Sequence, residues 1–324
     1  MTALWPIILG SGWIAGVVIA IFAVLVLRRF LDERGAASRA KDDARITRSY
    51  LRRVAGHASE DEGARWSATR RLAAISHLQC LLRGDDRSRL MQIAEFDGLL
   101  TKTLRRSSSI SVATRVDAIR LMQRFGSEAC IARLRQMMAR DRKYRVRLEA
   151  AFALAAMSSL PPPRETMRVL AMLRRGPNRL DVALLRASAA DYTDQMVLLV
   201  KEDLPEEWHA QLVDAIGWSR NPSVAPLLEK AAHHKSSEIR CAALRAASKL
   251  GQPAVAEWVR KALDDPEKEV RVQAVNACAT LGLRSAVDAI RHLRNDEHLW
   301  VRLRAEQALE QLAPDLLAVV DRAA

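Results

Sequence analysis

The hydrophobic and polar positions of this chain fall into a repeat. Arg271, aligned with Arg240 thirty-one residues earlier and Arg302 thirty-one later, superposes the lines EIRCAALRAASKLG, EVRVQAVNACATLG and WVRLRAEQALEQLA. Alanine follows three and six positions on, at Ala243, Ala274, Ala305 and at Ala246, Ala277, Ala308; leucine follows ten on, at Leu250, Leu281 and Leu312. Apolar residues so spaced share one side of an α-helix, and their return at a fixed period marks a repeat array. The register extends back through His209, Asn178, Arg147 and Arg115. It is clear at Arg147, with Ala150, Ala153 and Met157, and at Arg115, with Ala118, Leu121 and Phe125; it is degenerate at His209 and Asn178. Gly126, Gly251 and Gly282 each stand eleven residues after the register arginine, where a left-handed C-cap ends a helix.

A second set of helices is predicted between the first, over Cys130–Met138, Glu165–Leu173, Thr193–Val200, Val224–Ala232, Ala254–Leu263 and Ser285–Leu293. Each unit is then a helical hairpin, with prolines such as Pro222, Pro253 and Pro266 at turns or first helical positions, where a missing N–H costs nothing. Asp315–Arg322 reads as a short capping helix. Ahead of the regular part, Arg65–Cys80 and Arg89–Arg105 are helical in spacing but fit the repeat poorly, as the first units of a stack often do.

The N-terminal pattern is different. Leu4–Leu27 holds no charged side chain, and as a helix it is long enough to cross a hydrocarbon core of about 30 Å. No Lys or Arg precedes it, and Arg28-Arg29 follows it where a cleaved signal would carry small residues, so an uncleaved anchor is expected. Nine basic residues between Arg28 and Arg53 place the N-terminus outside and the rest in the cytoplasm of a bacterial-type inner membrane. Gly12, Gly16 and Ala20 form a small-residue stripe that would let two such helices pack as a homodimer, or that merely reflects how common Gly and Ala are in membrane helices. Ile46, Tyr50, Leu51 and Val54 have helical spacing among Arg45, Arg48, Arg52 and Arg53, which describes either a basic amphipathic helix on anionic headgroups or a solvated linker. The domains expected are a transmembrane anchor over 1–29, a charged juxtamembrane segment over 30–63, degenerate capping helices over 64–110 and the repeat array with its cap over 111–324.

Composition agrees with an all-α class: aromatics are 5% of the chain, and 13 Gly and 11 Pro leave little room for the turns of a β fold. The net charge of +13 calls for an acidic partner, whether lipid, protein or nucleic acid. Twelve basic residues face only three acidic ones between Arg105 and Arg147; Arg133, Arg135, Arg140, Arg142 and Lys143 are the candidate contacts to an anionic partner, against the plainer reading of a solvated face. The four cysteines show no metal-ligand spacing, and Cys241 and Cys278 fall at core positions. No HExxH, Gly-rich phosphate loop or GxSxG occurs, so neither catalytic residues nor a metal or cofactor site is expected. Asp141/Arg147, Asp265/Arg271 and Asp296/Arg302 recur six residues apart. The reading favoured is structural: Asp265 caps the helix after Pro266, while the arginines, Arg240 with them, bond a carboxylate or carbonyl of a neighbouring unit. Trp208 and Trp300 are read with Ile239 and Val270 as packing positions just ahead of the register residue; Trp218 and Trp258 stay open.

The period, and the VRxxA…A…LG pattern at Val270–Gly282 and Ile239–Gly251, resemble the HEAT-repeat superfamily, most closely its PBS-lyase-type HEAT-like repeats. The resemblance covers about residues 111–313 well and 64–110 weakly. It implies a right-handed α-solenoid that serves as a protein-binding scaffold on a curved surface. Phycobilin attachment and DNA glycosylase activity, known among similar proteins, find no supporting residues here, so an enzyme or nucleic-acid binder is disfavoured. A regulator that reads anionic lipid or the envelope is the other reading left open.

Overall fold

The computed structural model describes residues 40–57 and 66–314, together with Phe22. Every regular element among them is helical, and the chain divides into two compact units, Met1–Ser108 and Ser109–Ala324.

In the first unit, residues 40–54 form α1, followed by α2 (Ala68–Leu81), α3 (Gly84–Phe96) and α4 (Leu99–Arg106). Ser67 caps α2 by accepting from the Arg70 amide. The apolar side of α1 is spent on protein: Ile46, Tyr50 and Val54 are buried, as are Leu72, Ile75, Leu78, Leu90 and Leu99. Polar bonds fix α1 in place. Arg53 grips Asp97 with both terminal nitrogens, at 2.9 and 2.8 Å, and the Tyr50 hydroxyl donates to the same carboxylate at 2.8 Å. Arg71 of α2 donates to the Asp97 carbonyl, and Arg70 to Asp42. The amphipathic helix expected here is found, with Ile46, Tyr50 and Val54 turned to protein and Leu51 exposed. Its apolar stripe meets helices, and Arg53 is held by Asp97, while Arg45, Arg48 and Arg52 remain exposed.

The second unit is an α-solenoid of two kinds of helix in alternation. The register helices are α5 (Val112–Phe125), α7 (Tyr144–Ala156), α9 (Arg179–Ser188), α11 (Glu206–Ile216), α13 (Ser237–Leu250), α15 (Lys268–Leu281) and α17 (Leu299–Leu312). Between them run α6 (Glu128–Arg140), α8 (Pro163–Val169), α10 (Thr193–Val200), α12 (Ala225–Ala232), α14 (Ala256–Lys261) and α16 (Val287–His292). Consecutive register helices pack directly on one another, and α6, α10, α12, α14 and α16 each pack on the register helix that follows, whereas α8 meets the 3-10 turn after it and α10. The alanine pattern makes this close stacking possible: Ala243, Ala246, Ala274, Ala277 and Ala305 are fully buried. Gly217, at the end of α11, goes further. A Cβ there would lie 2.4 Å from the Cα of Ala246, so α11 and α13 touch main chain to main chain. Gly126, Gly251 and Gly282 take φ of 69°, 66° and 66° and end their helices as left-handed caps.

The register residue is the fourth residue of its helix at Arg115, Arg147, His209, Arg240, Arg271 and Arg302. Asn178 breaks the rule. It lies outside α9 as its N-cap, accepting from the Leu180 and Asp181 amides in a capping box with Asp181, so the true register residue is Val182, one turn later. The slip arises in the preceding connection: α8 stops at Val169, Ala171 turns left-handed at φ 52°, and a 3-10 turn over Met172–Arg174 lengthens the path. Asp265 also departs from expectation. The N-cap of α15 is Glu267, and Asp265 accepts from the Glu267 amide at 2.9 Å from outside the helix. On α17 the position equivalent to the buried Val213, Leu244 and Val275 is Glu306, which is exposed.

The expected capping helix Asp315–Arg322 and the stripe of Gly12, Gly16 and Ala20 lie outside the described residues, as does the span Leu4–Leu27 apart from Phe22. Among the described residues no helix is long and apolar enough to cross a membrane.

Candidate functional site

The recurring arginine builds a ladder, and the ladder is structural. Arg271 donates Nη1 to the carbonyls of Asp265 and Pro266 in its own unit, both at 2.9 Å. Its Nε and Nη2 reach the Asp296 carboxylate of the next unit at 2.8 and 3.0 Å. Arg240 does the same with the His234 and Lys235 carbonyls and with Asp265, and Arg115 with the Ser109 and Ile110 carbonyls and with Asp141. Each pair is nearly withdrawn from solvent, and each carboxylate also accepts from a main-chain amide two residues on. A planar fork that spans two carbonyls and a carboxylate is a task for Arg and not for Lys. Burial works to raise the Asp296 carboxyl, but the Arg271 hydrogen bond, the His298 amide and the Arg271 charge outweigh it and hold the carboxyl below its ordinary range. Asp265/Arg271 and Asp296/Arg302, six residues apart in sequence, thus meet through the main-chain carbonyl, and the carboxylate serves the preceding unit's arginine.

The ladder breaks after Arg147. No aspartate stands twenty-five residues on, where Met172 is found. The Arg147 guanidinium instead lies 5.6 Å from the Tyr144 ring centre, with its Nε unbonded. Asp181 fills the slot that Val146, Trp208, Ile239, Val270 and Val301 occupy elsewhere, just ahead of the register residue. A carboxylate in a core slot needs partners. It has Arg175 at 2.5 and 2.9 Å, the Tyr144 hydroxyl at 3.0 Å and the Asn178 amide at 3.2 Å. Burial first, then the Asp181 charge, pushes the Tyr144 hydroxyl above its usual range.

At the same place the array gains its most distinctive surface. Asp214 of α11, 2% exposed, accepts from Arg186 of α9 through Nε at 2.8 Å and Nη2 at 2.6 Å, and from Arg245 of α13 through Nε at 3.2 Å. Three successive register helices are joined by one carboxylate. Trp218, directly after α11, is 41% exposed, with Arg186 Cζ 5.5 Å and Lys249 Nζ 5.1 Å from its ring centre. A cation over an indole face is held by the ring quadrupole. Asp214, Arg245, Asn276 and Gln307 recur thirty-one residues apart, as do Trp218, Lys249, Thr280 and Gln311. Apart from Asp214, which its arginines cover, the side chains of both rows are exposed or half-buried, on an uncovered side of the register helices among the described residues. The sequence reading missed Arg186, Asp214, Arg245 and Lys249; the signal available was a row position that changes from acid to base to amide while the residue after it stays alanine.

The basic block divides. Arg115 is consumed by the ladder and Arg147 by Tyr144. Arg133 bonds Gln136, and Arg135 donates to the Ser159 carbonyl at 3.3 Å. Arg140, Arg142 and Lys143 are exposed around the α6–α7 turn, beside Arg145. Trp208 is buried, with its indole N–H on the Arg175 carbonyl, and Trp258 is buried as well. Trp300 is not a packing residue: it is 69% exposed, because Val301 holds the slot next to Arg302. Cys130, Cys241 and Cys278 are buried and Cys80 is exposed. Burial pushes the Cys241 thiol to about 11 and the Cys278 thiol to about 12, which keeps both protonated and inert. The His209 and His234 rings lie 5.8 Å apart, tilted by 59°, and burial, then the His234 charge, lowers the His209 pKa. Among the described residues no cluster of His, Cys, Asp or Glu is arranged to hold a metal ion.

The family model for HEAT repeats matches residues 193–268 and 256–320, so α10 to α17 are similar to HEAT repeats. No curated protein matches the chain. Among solved structures, human deoxyhypusine hydroxylase in complex with glycerol is similar at 16% identity, over 87% of this chain and 99% of that one, with a TM-score of 0.33. The CpcE–CpcF complex of phycocyanin lyase from Nostoc sp. PCC7120 is similar at 17% identity, over 69% and 94%, with a TM-score of 0.35. The designed armadillo repeat protein YIII(Dq)4CqI is similar at 20% identity, over 66% and 99%, with a TM-score of 0.30. Such loose superpositions transfer neither a residue nor a role to this chain.

Proposed function

We propose that this chain is a membrane-anchored scaffold, its repeat array binding partner proteins from the cytoplasmic side of an inner membrane. The observation that carries the binding role is the uncovered side of the register helices. Two rows of side chains, Asp214 to Gln307 and Trp218 to Gln311, repeat there at the spacing of the helices themselves. Each helix offers one or two side chains, so affinity accumulates from modest contacts over several units. The anchor rests on the uncharged run Leu4–Leu27 and the basic residues that follow it. Homodimerisation through Gly12, Gly16 and Ala20 belongs to that anchor and is a further part of the proposal.

Crosslinking in membranes followed by purification of the full-length chain tests the scaffold. Recovery of a defined partner set, changed by charge reversal on the rows, is expected; no partner, or an unchanged set, refutes it. Retention in the membrane pellet through alkaline carbonate extraction tests the anchor, and release into the supernatant refutes it.

A second reading is favoured by one surface. Arg140, Arg142, Lys143 and Arg145 are exposed together at one turn and suit anionic headgroups, as do Arg45, Arg48 and Arg52 on α1. Flotation of the anchorless chain with phosphatidylserine vesicles, lost at raised salt, supports that reading; absence of flotation at low salt removes it.

A further inference from the structure

We infer that the cluster around Trp218 is a docking site for an extended acidic segment of a partner protein. The inference rests on the scaffold reading and names the chemistry of its partner.

Charge is the first ground. Arg186, Arg245 and Lys249 gather around a single carboxylate, Asp214, and Asp214 is already engaged by both arginines. Lys249 has the Trp218 ring and, among the described residues, no carboxylate. The cluster is therefore two positive charges in excess, whereas Arg115, Arg240 and Arg271 of the ladder are each paired with an aspartate. Arg186 and Arg245 are each about a third exposed, so donors not spent on Asp214 face solvent. An incoming carboxylate meets cations already oriented by Asp214 and by the indole, which reduces the side-chain entropy lost on binding.

Shape is the second. The cluster crosses three helices, α9, α11 and α13, in one line. Packed helices stand about 8–10 Å apart, and an extended chain advances about 3.3 Å per residue. About three residues of an extended segment thus span one helix to the next, and a short peptide covers the whole cluster. Trp218, 41% exposed, offers that peptide an apolar platform at the centre of the charges.

The third ground separates a peptide from a flat anionic surface. Two turns toward the N-terminal ends of α11 and α13, on the side of Asp214 and Arg245, stand Glu207 and Glu238, both exposed, and the exposed Glu269 takes the same place on α15. A bilayer laid on this side would press its headgroups on that acidic row as well as on the basic cluster. A single extended strand following the Trp218 line avoids it.

The test is fluorescence anisotropy with full-length protein in detergent micelles and a fluorescein-labelled decapeptide of alternating glutamate and alanine. A lysine–alanine peptide of equal length, phosphatidylserine vesicles and an oligothymidylate are the comparison probes. Saturable binding of the acidic peptide is expected, weakened at least tenfold by Lys249→Glu and by Trp218→Ala and reduced by added salt, with no binding of the basic peptide. Both substituted side chains are exposed, and unchanged far-UV circular dichroism verifies that each variant folds. No saturation up to about 1 mM peptide, or affinity unchanged in both variants, overturns the inference. So does binding of vesicles or oligothymidylate, lost in the variants, in place of peptide binding. If crosslinked partners are recovered equally by wild type and Lys249→Glu, the docking site is refuted while another surface of the scaffold stays in play; if neither recovers a partner, the scaffold itself falls.

Discussion

Replacing Gly217 with alanine tests how closely the register helices are stacked. Gly217 has φ −58° and ψ −21°, an ordinary right-handed conformation in which alanine is at ease. By backbone entropy alone the substitution stabilises, by about 0.4–1 kcal/mol. The structure predicts the opposite sign. The added Cβ would lie 2.4 Å from the Ala246 Cα, 2.5 Å from its carbonyl oxygen and 2.8 Å from its carbonyl carbon. Relaxed carbon contacts are about 3.5–4.0 Å, so α11 and α13 must separate by about 1 Å. That opens an interface in which Val213, Ile216, Ala243 and Ala247 are fully buried. Overpacking of a well-filled core costs about 1–3 kcal/mol, and a clash between main chains, which no rotamer change relieves, belongs at the upper end. The net loss is about 2 kcal/mol, or about 4–8 °C in the melting temperature of a unit this size. Thermal unfolding of the full-length chain followed by circular dichroism measures it. Ala246→Gly in the same background is expected not to restore the loss, since the atoms struck are main chain. A Gly217→Ala protein that melts at or above the wild-type temperature refutes main-chain contact between these helices.

Other outcomes follow from the bonds described. Removing one member of the ladder pair, by Arg271→Met or Asp296→Ala, should cost about 3–5 kcal/mol because it strands a nearly buried partner; a double variant that loses clearly less than the summed single losses is the expected signature, and strict additivity in denaturant titrations refutes the pairing. Asp97 should make the first unit acid-sensitive: burial would raise its carboxyl, but hydrogen bonds from Arg53 and Tyr50 and the charges of Arg53 and Arg71 hold it below its ordinary range. A depressed folded value gives stability that is full above the unfolded carboxylate pKa, about 3.9, and is lost as pH falls through the folded one; Asp97→Asn should flatten that acid limb of the stability profile. His209, depressed from 6.5 by burial and then by His234, should lose stability as pH drops below that value, and His209→Gln should remove this slope. Ellman titration should find one fast thiol in the native chain, Cys80, and four after denaturation, with Cys80→Ser abolishing the native reaction.

What could be read in the sequence was what repeats. The alanine and leucine spacing, the glycine caps and the burial of Cys241 and Cys278 each follow from one helix seen by itself, and a single helix has a known period. What escaped depends on how one helix is placed on the next. Arg271 and Asp265 are six residues apart and look like partners, yet the carboxylate that Arg271 holds is twenty-five residues further on. Sequence distance carries no sign of that, because the inter-helix turn reverses the chain and brings the next unit's start beside the guanidinium. Asn178 kept the thirty-one-residue step by coincidence, while a longer connection moved α9 by a turn and put Asp181 in a core slot. Trp300 was displaced by one position, which on a helix turns a side chain by about 100° and separates a buried residue from an exposed one.

The irregular units explain where a partner can be accommodated. In the regular part the ladder consumes the register arginine and the next aspartate, and the alanine rows consume the faces between helices. Little charge is left over. Where α9 slips, the ladder cannot form, Asp181 is stabilised instead by Arg175 and Tyr144, and Arg186 turns toward Asp214 on the uncovered side. The same departure that withdraws an arginine from the stitching of the stack therefore supplies one to its surface. A variant that restores the ladder across this point, with an aspartate at Met172 and valine at Asp181, is expected to raise the melting temperature only if the α8–α9 connection is also shortened, because Met172 is buried in the present path. If the two substitutions alone stabilise the chain, the connection did not force the slip, and the link between the break in the ladder and the exposed cluster fails.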